Sequence, residues 1–399
     1  MASNDKRSTR KTATKGAAKR AARKRTATQR AATQPAEEFP RRIFAIASPR
    51  SLGGVSMFDA GDLITSDTVA NFESDPGIVA RARDMLVDAG FDVLDANTAM
   101  INFCGPRSTF ERAFSTRLVF DERETIKPGG VVGTSTFIDT ADTDMSGYVD
   151  VSRTRFGELL EGVAIEEPYY PMADSIPPRV DSWYLNVPDD VAVALNAART
   201  HRTGRTGRGV RVAMVDTGWY RHPFFTARGY RSNRAVLGPG AENRDDDESG
   251  HGTGESANIF AIAPDVRLLP VKAANASGAL VNLTAAFNAA VQLDPDIITN
   301  SWGASLRNPP LSAARQAQAA AVAAAVASGI VVCFSAGNGH WGFPGQHPDV
   351  ISVGGVFRDR DGTLRASDYS SGFVSNIYPG RQSPDVCGLV GMRPGAPYV

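Results

Sequence analysis

Apolar positions recur along this chain in two rhythms, and the change of rhythm divides it. After Ser74-Asp75-Pro76, which reads as a helix cap with proline at the first helical position, Ile78, Val79, Ala82, Met85, Leu86 and Ala89 follow at spacings of three and four. Gly90 closes the amphipathic helix this predicts. Phe91 and Val93 then alternate with aspartates, and Ala99, Ile101 and Phe103 alternate across Asn102, which predicts two half-buried strands. An apolar run at 43–47 precedes them; a second helix at 106–115, carrying Phe110, Ala113 and Phe114, and a strand at 118–120 follow. The order strand, helix, strand, strand, helix, strand is the split βαβ pattern of an α+β ferredoxin-like domain.

Beyond residue 205 the pattern is different. Residues 210–215 are nearly continuously apolar, which suits a parallel strand covered on both faces. Runs at 268–272, 297–301, 330–336 and 350–353 repeat that signature, with helical stretches at 281–292 and 311–328 between them. Alternating strands and helices predict an α/β domain with a doubly wound parallel sheet. From Val163 to Pro188 the chain is rich in proline and polar residues, the composition of an exposed linker. The expected organisation is a tail at 1–42, a first domain at 43–170, a linker at 171–204 and the α/β domain at 205–399.

Charge changes this picture at one end only. The total is neutral, with 43 basic and 43 acidic residues, yet residues 1–34 hold eleven Lys/Arg against Asp5 alone. This tail has no aromatic or large aliphatic residue after Met1, so burial cannot offset its ordering entropy. It is expected to be disordered and to make at most nonspecific electrostatic contact with nucleic acid. Three cysteines without a Cys-x-x-Cys pair argue against a disulfide framework or a structural zinc site. Cys333 lies in an apolar run and reads as a buried small hydrophobe. A reducing, cytoplasmic location follows as an expectation, with no signal peptide and no membrane span.

The candidate chemistry lies in three short motifs of the α/β domain. Asp216 ends an apolar run in Val-Asp-Thr-Gly, where open α/β sheets place their sites. His251 opens His-Gly-Thr-Gly, and Asn338 sits between Gly337 and Gly339. A fixed carboxylate can orient one imidazole nitrogen while the other takes a hydroxyl proton, and an amide held in a tight turn can face a developing oxyanion. The acidic run Asp245, Asp246, Asp247, Glu248 offers hard oxygen ligands of the kind calcium takes. His340 and His347 flank a Trp-Gly-Phe-Pro turn and read as surface loop residues.

From about residue 205 the chain resembles the subtilisin-like serine proteases, the subtilases. The matching text is Val-Asp-Thr-Gly around Asp216, His222-Pro223, Gly-His-Gly-Thr around His251, Ile-Ala-Pro at 262–264, Asn300-Ser301-Trp302-Gly303 and Ser-Ala-Gly-Asn at 335–338. The resemblance implies a serine endopeptidase in which Asp216 and His251 belong to a triad, Asn338 completes the oxyanion hole, and Ser301, Trp302 and Gly303 line the substrate pocket. It implies protein or peptide substrates and, since subtilases often bind that ion, calcium as a conceivable cofactor. The first domain would be the inhibitory prodomain of a zymogen; Phe91 to Phe114 resembles the prodomains of the related sedolisins. The family nucleophile lies in Gly-Thr-Ser-x-Ala, which is absent from these 399 residues. Ser367, Ser370, Ser371 and Ser383 lack its setting. The expectation is therefore a proform or fragment of a peptidase, incomplete before the serine and inactive as it stands. The alternatives are a non-catalytic peptide-binding protein of the same fold and one half of a split protease.

Overall fold

Asp75 accepts the backbone N–H groups of Gly77 and Ile78, and Pro76 fills the first helical position, so a helix starts where the chain loses a donor it would not have used. The computed structural model describes residues 39–127, 131–169 and 185–392. The basic tail up to residue 38, and linker residues 170–184, lie outside the described residues. The described residues from Arg42 onward form one compact unit.

Its first layer runs β1 (Ile43–Pro49), α1 (Pro76–Asp88), β2 (Asp92–Ala96), β3 (Ile101–Gly105), α2 (Arg107–Phe114), the hairpin β4 (Leu118–Lys127) and β5 (Val131–Thr140), and β6 (Leu160–Ile165). The sheet order is β2-β3-β1-β6, all antiparallel, with a short strand at Tyr148–Val149 on the β6 edge. Two expectations are corrected. The strand at 118–120 does not join this sheet; it begins a ten-residue arm that pairs only with β5. The fourth strand is β6, so Val163 belongs to a buried sheet and not to a linker. The apolar residues of β6 carry no turn signal before the prolines, and proline composition outweighed them.

Phe91, Phe103, Phe110, Phe114 and Phe156 pack as an aromatic cluster between sheet and helices, with ring centroids 4.9–6.3 Å apart for the closest pairs. The other side of the sheet does not face water. All five residues of β3 are buried, including Asn102, which accepts a hydrogen bond of 3.2 Å from Asn288 of the second layer. The alternation that predicted a half-buried strand was real, but the Oδ1 of its polar member meets protein instead of solvent, and its Nδ2 is buried without a partner.

The second layer is built on β7 (Arg211–Asp216), α3 (His251–Ile262), β8 (Arg267–Lys272), α4 (Leu283–Val291), β9 (Ile297–Asn300), α5 (Ala313–Ala327), β10 (Val331–Ser335) and β11 (Ile351–Arg358). The strands lie in the order β8-β7-β9-β10-β11 and are parallel throughout. Val386–Leu389 adds parallel to β11, and Leu364–Ala366 adds antiparallel. The doubly wound sheet is as expected. The stretch assigned to the end of the linker is not a spacer, however: residues Asp189–Ala194 and Ala197–His201 are helices that bury Val191, Ala192 and Ala197.

Helices α4 and α5 cover one face of the parallel sheet, against Ala213, Val215, Ile298, Val332 and Phe334, in a core that continues into Ile46, Met57 and Ala164 of the first layer. Helix α3 covers part of the other face, where Phe260 packs on Val212, Met214 and Leu268.

Candidate active site

The parallel register places the sequence-predicted residues at one edge. Asn300 stands beside Val215 on one side and Phe334 on the other, so Ser301 follows at the level of Asp216 and Ser335. Asp216, Ser301 and the loop bearing Asn338 therefore leave three neighbouring strands at their carboxyl ends.

Asp216 is buried, and its Oδ1 accepts three contacts: the Thr217 N–H at 2.7 Å, the Thr217 hydroxyl at 3.2 Å and the His251 ring through Nδ1 at 2.8 Å. His251 is the first residue of α3, and close approach of that helix end to β7 requires glycine. A Cβ on Gly252 would lie 2.3 Å from the Gly218 carbonyl oxygen and 3.0 Å from Asp216 Cβ. The Asp216 carboxylate beside the ring raises the His251 pKa to about 9.

A ring of polar residues fixes this pair, and the sequence motifs alone did not reveal it. Asp247 accepts the Thr217 hydroxyl at 2.8 Å and the Gly250 N–H at 3.0 Å through Oδ1, and the Thr253 N–H and hydroxyl at 2.8 and 2.7 Å through Oδ2. It thus ties the strand end that carries Asp216 to the first turn of α3, whose orphan amides it satisfies. The acidic run that suggested calcium is used in this way by protein donors. Asp245 pairs with Arg234, and Glu248 with the fully buried Lys272 at 2.5 Å. The same Lys272 ammonium donates to the Asn243 and Asp246 carbonyls at 3.1 and 2.9 Å, so a lysine holds the oxygens that a cation would gather.

The remaining candidates divide. The Asn338 N–H donates to His340 Nδ1 at 3.0 Å, between Gly337 and Gly339 with φ of 117° and 78°. Gly303 lies against the backbone of Phe343, 2.9 Å from where its Cβ would be. Trp302 turns its indole inward: Nε1–H donates to the Val215 carbonyl at 2.9 Å and the ring packs edge-on against Phe334, so only its backbone is available to a ligand. His340 and His347 are buried, correcting their reading as surface residues; Pro344 and Gly345 fold the loop inward, and His347 Nε2 meets the Ile64 carbonyl at 3.0 Å. Cys333 is half-buried and lines a groove, not the core. Each serine set aside above has a structural bond: Ser367 to Gly391, Ser370 to Gly355, Ser371 to His340 and Ser383 to Ser352.

The subtilase family model matches residues 207–387. These residues belong to the subtilase family. The chain is 31% identical over 191 residues to the alkaline elastase YaB of Bacillus sp. (strain YaB), covering 44% of this chain and 47% of that protein. It is 34% identical over 194 residues to an intracellular serine protease of Paenibacillus polymyxa, covering 41% and 54%. The chain thus spans about half the length of these curated relatives. The crystal structure of a lanthipeptide protease aligns with 22% identity and a TM-score of 0.42, over 50% of this chain and 61% of that one. Among the described residues no helix of the chain is long and apolar enough to cross a membrane.

Proposed function

We propose that the subtilase domain is the acid–base half of a serine endopeptidase site. The observation that carries this reading is the 2.8 Å contact between buried Asp216 and His251 at the carboxyl edge of the sheet. In such a site Asp216 orients the imidazole and stabilises the imidazolium, and His251 takes the proton of a serine hydroxyl as it attacks a peptide carbonyl. The Asn338 amide stabilises the tetrahedral oxyanion, and the backbone of Ser301 to Gly303 holds the peptide.

The nucleophile would come from a segment outside these 399 residues, in the same chain or a separate one. What supports this is a groove of about 450 Å³ between α3 and the sheet, lined by Val212, Ile259, Ile262, Ile297, Thr299 and Cys333. A parallel sheet is normally covered on both faces, and an apolar helix starting with the serine would complete the cover. A serine-directed fluorophosphonate tests the reading. The 399-residue chain should remain unlabelled, and a chain supplied with a Gly-Thr-Ser-x-Ala segment should label stoichiometrically; labelling of the 399 residues alone would mean that a serine already present is the nucleophile.

The first layer acts, in this reading, as a prodomain that docks on α4 and α5. The purified layer should inhibit the complete enzyme in trans, and absence of inhibition would remove that role. The protein is read as cytoplasmic, with the basic tail giving weak nucleic-acid contact that falls steeply with salt; equal DNA retention with and without residues 1–34 would discard the contact.

A further inference from the structure

The Nε2 side of His251 is not empty. Glu255 lies one helical turn on, on the same face of α3, and its Oε1 is 3.8 Å from Nε2. That distance is within ion-pair range and longer than an N–H···O hydrogen bond. Ser301, at the edge beside Asp216, acts on the Glu255 carboxylate and opposes its protonation. His251 and Glu255 keep 38% and 41% of their side-chain surface exposed, so both exchange protons with bulk water.

We propose that Glu255 is a positioning residue of the dyad: it takes the Nε2 side of the His251 ring, so that the imidazole stands between two carboxylates and rests as the proton-loaded imidazolium. The inference rests on the reading of His251 as the base. A protonated histidine at the first position of a helix is opposed by the positive end of the helix dipole. Asp216 on β7, Asp247 in the loop before α3 and Glu255 on α3 are the charged groups that act on the ring, and all three favour its proton. Glu255 itself holds a proton more readily than an ordinary glutamate, through desolvation and the nearby Asp216, with His251 opposing.

Arming the base is then a single transfer. At 3.8 Å Glu255 Oε1 is too far for direct transfer, so the Nε2 proton passes to bulk water at the exposed ring, the imidazolium becomes neutral imidazole and the water carries the proton away as hydronium. Only the neutral ring can accept a hydroxyl proton. An ordinary exposed i,i+4 ion pair would contribute little and would leave the ring's proton affinity to Asp216 alone.

The two cases separate in an NMR titration of the ring nitrogens in the 399-residue protein, with His251 assigned by loss of its signals in His251→Asn. The parent should titrate near the value of about 9 that the site gives the ring. Glu255→Gln, isosteric and uncharged, should lower the proton affinity of His251 by about tenfold, one pH unit. Glu255→Asp, which keeps the carboxylate, should retain part of the shift. A His251 titration in Glu255→Gln that coincides with the parent's overturns the proposal. A readout needing no variant is the pH dependence of acylation by diethyl pyrocarbonate, which attacks the neutral ring. Half-maximal reactivity at His251 near its ordinary value of about 6.5 would equally overturn it. Neither measurement depends on peptide hydrolysis, so failure of the serine-segment experiment would sink the catalytic reading and leave this result standing.

Discussion

The two faces of the parallel sheet are made from alternate residues of the same strands, yet they have opposite fates. Val332 is 1% exposed, under α5, and its neighbour Val331 is 44% exposed on the other face. On the closed face, α4 and α5 seal the sheet and then serve as the floor for the first layer. Arg315 of α5 meets Glu167 at 3.0 Å and Gln318 shares the Tyr169 hydroxyl at 2.6 Å, while Thr284 of α4 donates to Glu166 at 3.2 Å. On the open face α3, with Trp219 and Phe225, covers Val212, Met214 and Leu268, and Val331, Ile351 and Val386 remain 44%, 39% and 53% exposed. The Asp216–His251 pair is presented from the open side, because α3, which carries His251 and Glu255, belongs to it. The lesson is that the geometry of Asp216 and His251 is set by polar neighbours on the strand end and the loop before α3. Asp247, Thr217 and Lys272 fix the dyad without any contribution from whatever covers the groove.

The largest expected effect follows from that separation. With the serine segment supplied, His251→Ala should reduce turnover on the order of a millionfold, as loss of a triad histidine does in subtilisin. Peptide binding should change little, because the 301–303 backbone is untouched. A loss below about a hundredfold in single-turnover hydrolysis would show that His251 is not the base.

On the closed face the critical contact is ionic and buried. Arg315→Ala leaves Glu167 with Arg123 as its remaining ion-pair partner and Tyr169 without its cation, and removal of one member of a buried pair costs up to about 3–5 kcal/mol. Denaturant unfolding should show the loss as a lower midpoint. A change within about 0.5 kcal/mol would place the network at the level of exposed ion pairs.

Much of this arrangement was legible in the sequence, and the gaps have physical causes. Buried parallel strands read clearly because both faces are apolar, and Asp216 and His251 could be placed because each terminates or opens such an element. The docking of the first layer was not visible. Arg315, Gln316 and Gln318 look like the wet face of an alanine-rich helix, and only tertiary contact shows them to be buried. In the acidic run, nothing in the composition pointed to Lys272, an interior residue 24 positions past Glu248, as the cation that meets it. Glu255 had no signal of its own except its spacing of four from His251.

A third, smaller effect separates the docked layer from the rest by pH. Burial raises the Glu166 carboxyl to about 7, against an ordinary 4.5, with Arg315 and the Thr284 hydrogen bond opposing. A carboxyl raised on docking binds its proton more tightly in the docked form, so docking is favoured below pH 4.5 and weakens as pH rises through 7. Since Glu166 is only partly shielded from solvent, a weakening of about tenfold between pH 5 and 8.5 is expected in a competition assay with the isolated layer. Glu166→Gln should abolish the slope. Tighter docking at alkaline pH would contradict the assignment.

The smallest effect tests the open face itself. Val331, on the strand beside the groove, already meets water over 44% of its surface, so Val331→Lys removes exposed apolar area and buries no charge. Unfolding free energy should stay within about 0.5 kcal/mol of the parent, the usual range for a surface change. Binding of an apolar fluorescent dye to the 399-residue protein should nevertheless fall about twofold, because the dye reads the uncovered strip. Once a serine-bearing helix covers the groove, the same substitution should invert its behaviour. Dye binding would then be low in both proteins, and Val331→Lys would cost about 1–3 kcal/mol by placing an ammonium against an apolar helix. If Val331→Lys is neutral in the completed protein as well, the helix does not seat on this strip, and the groove between α3 and the sheet is not where the nucleophile's helix lies.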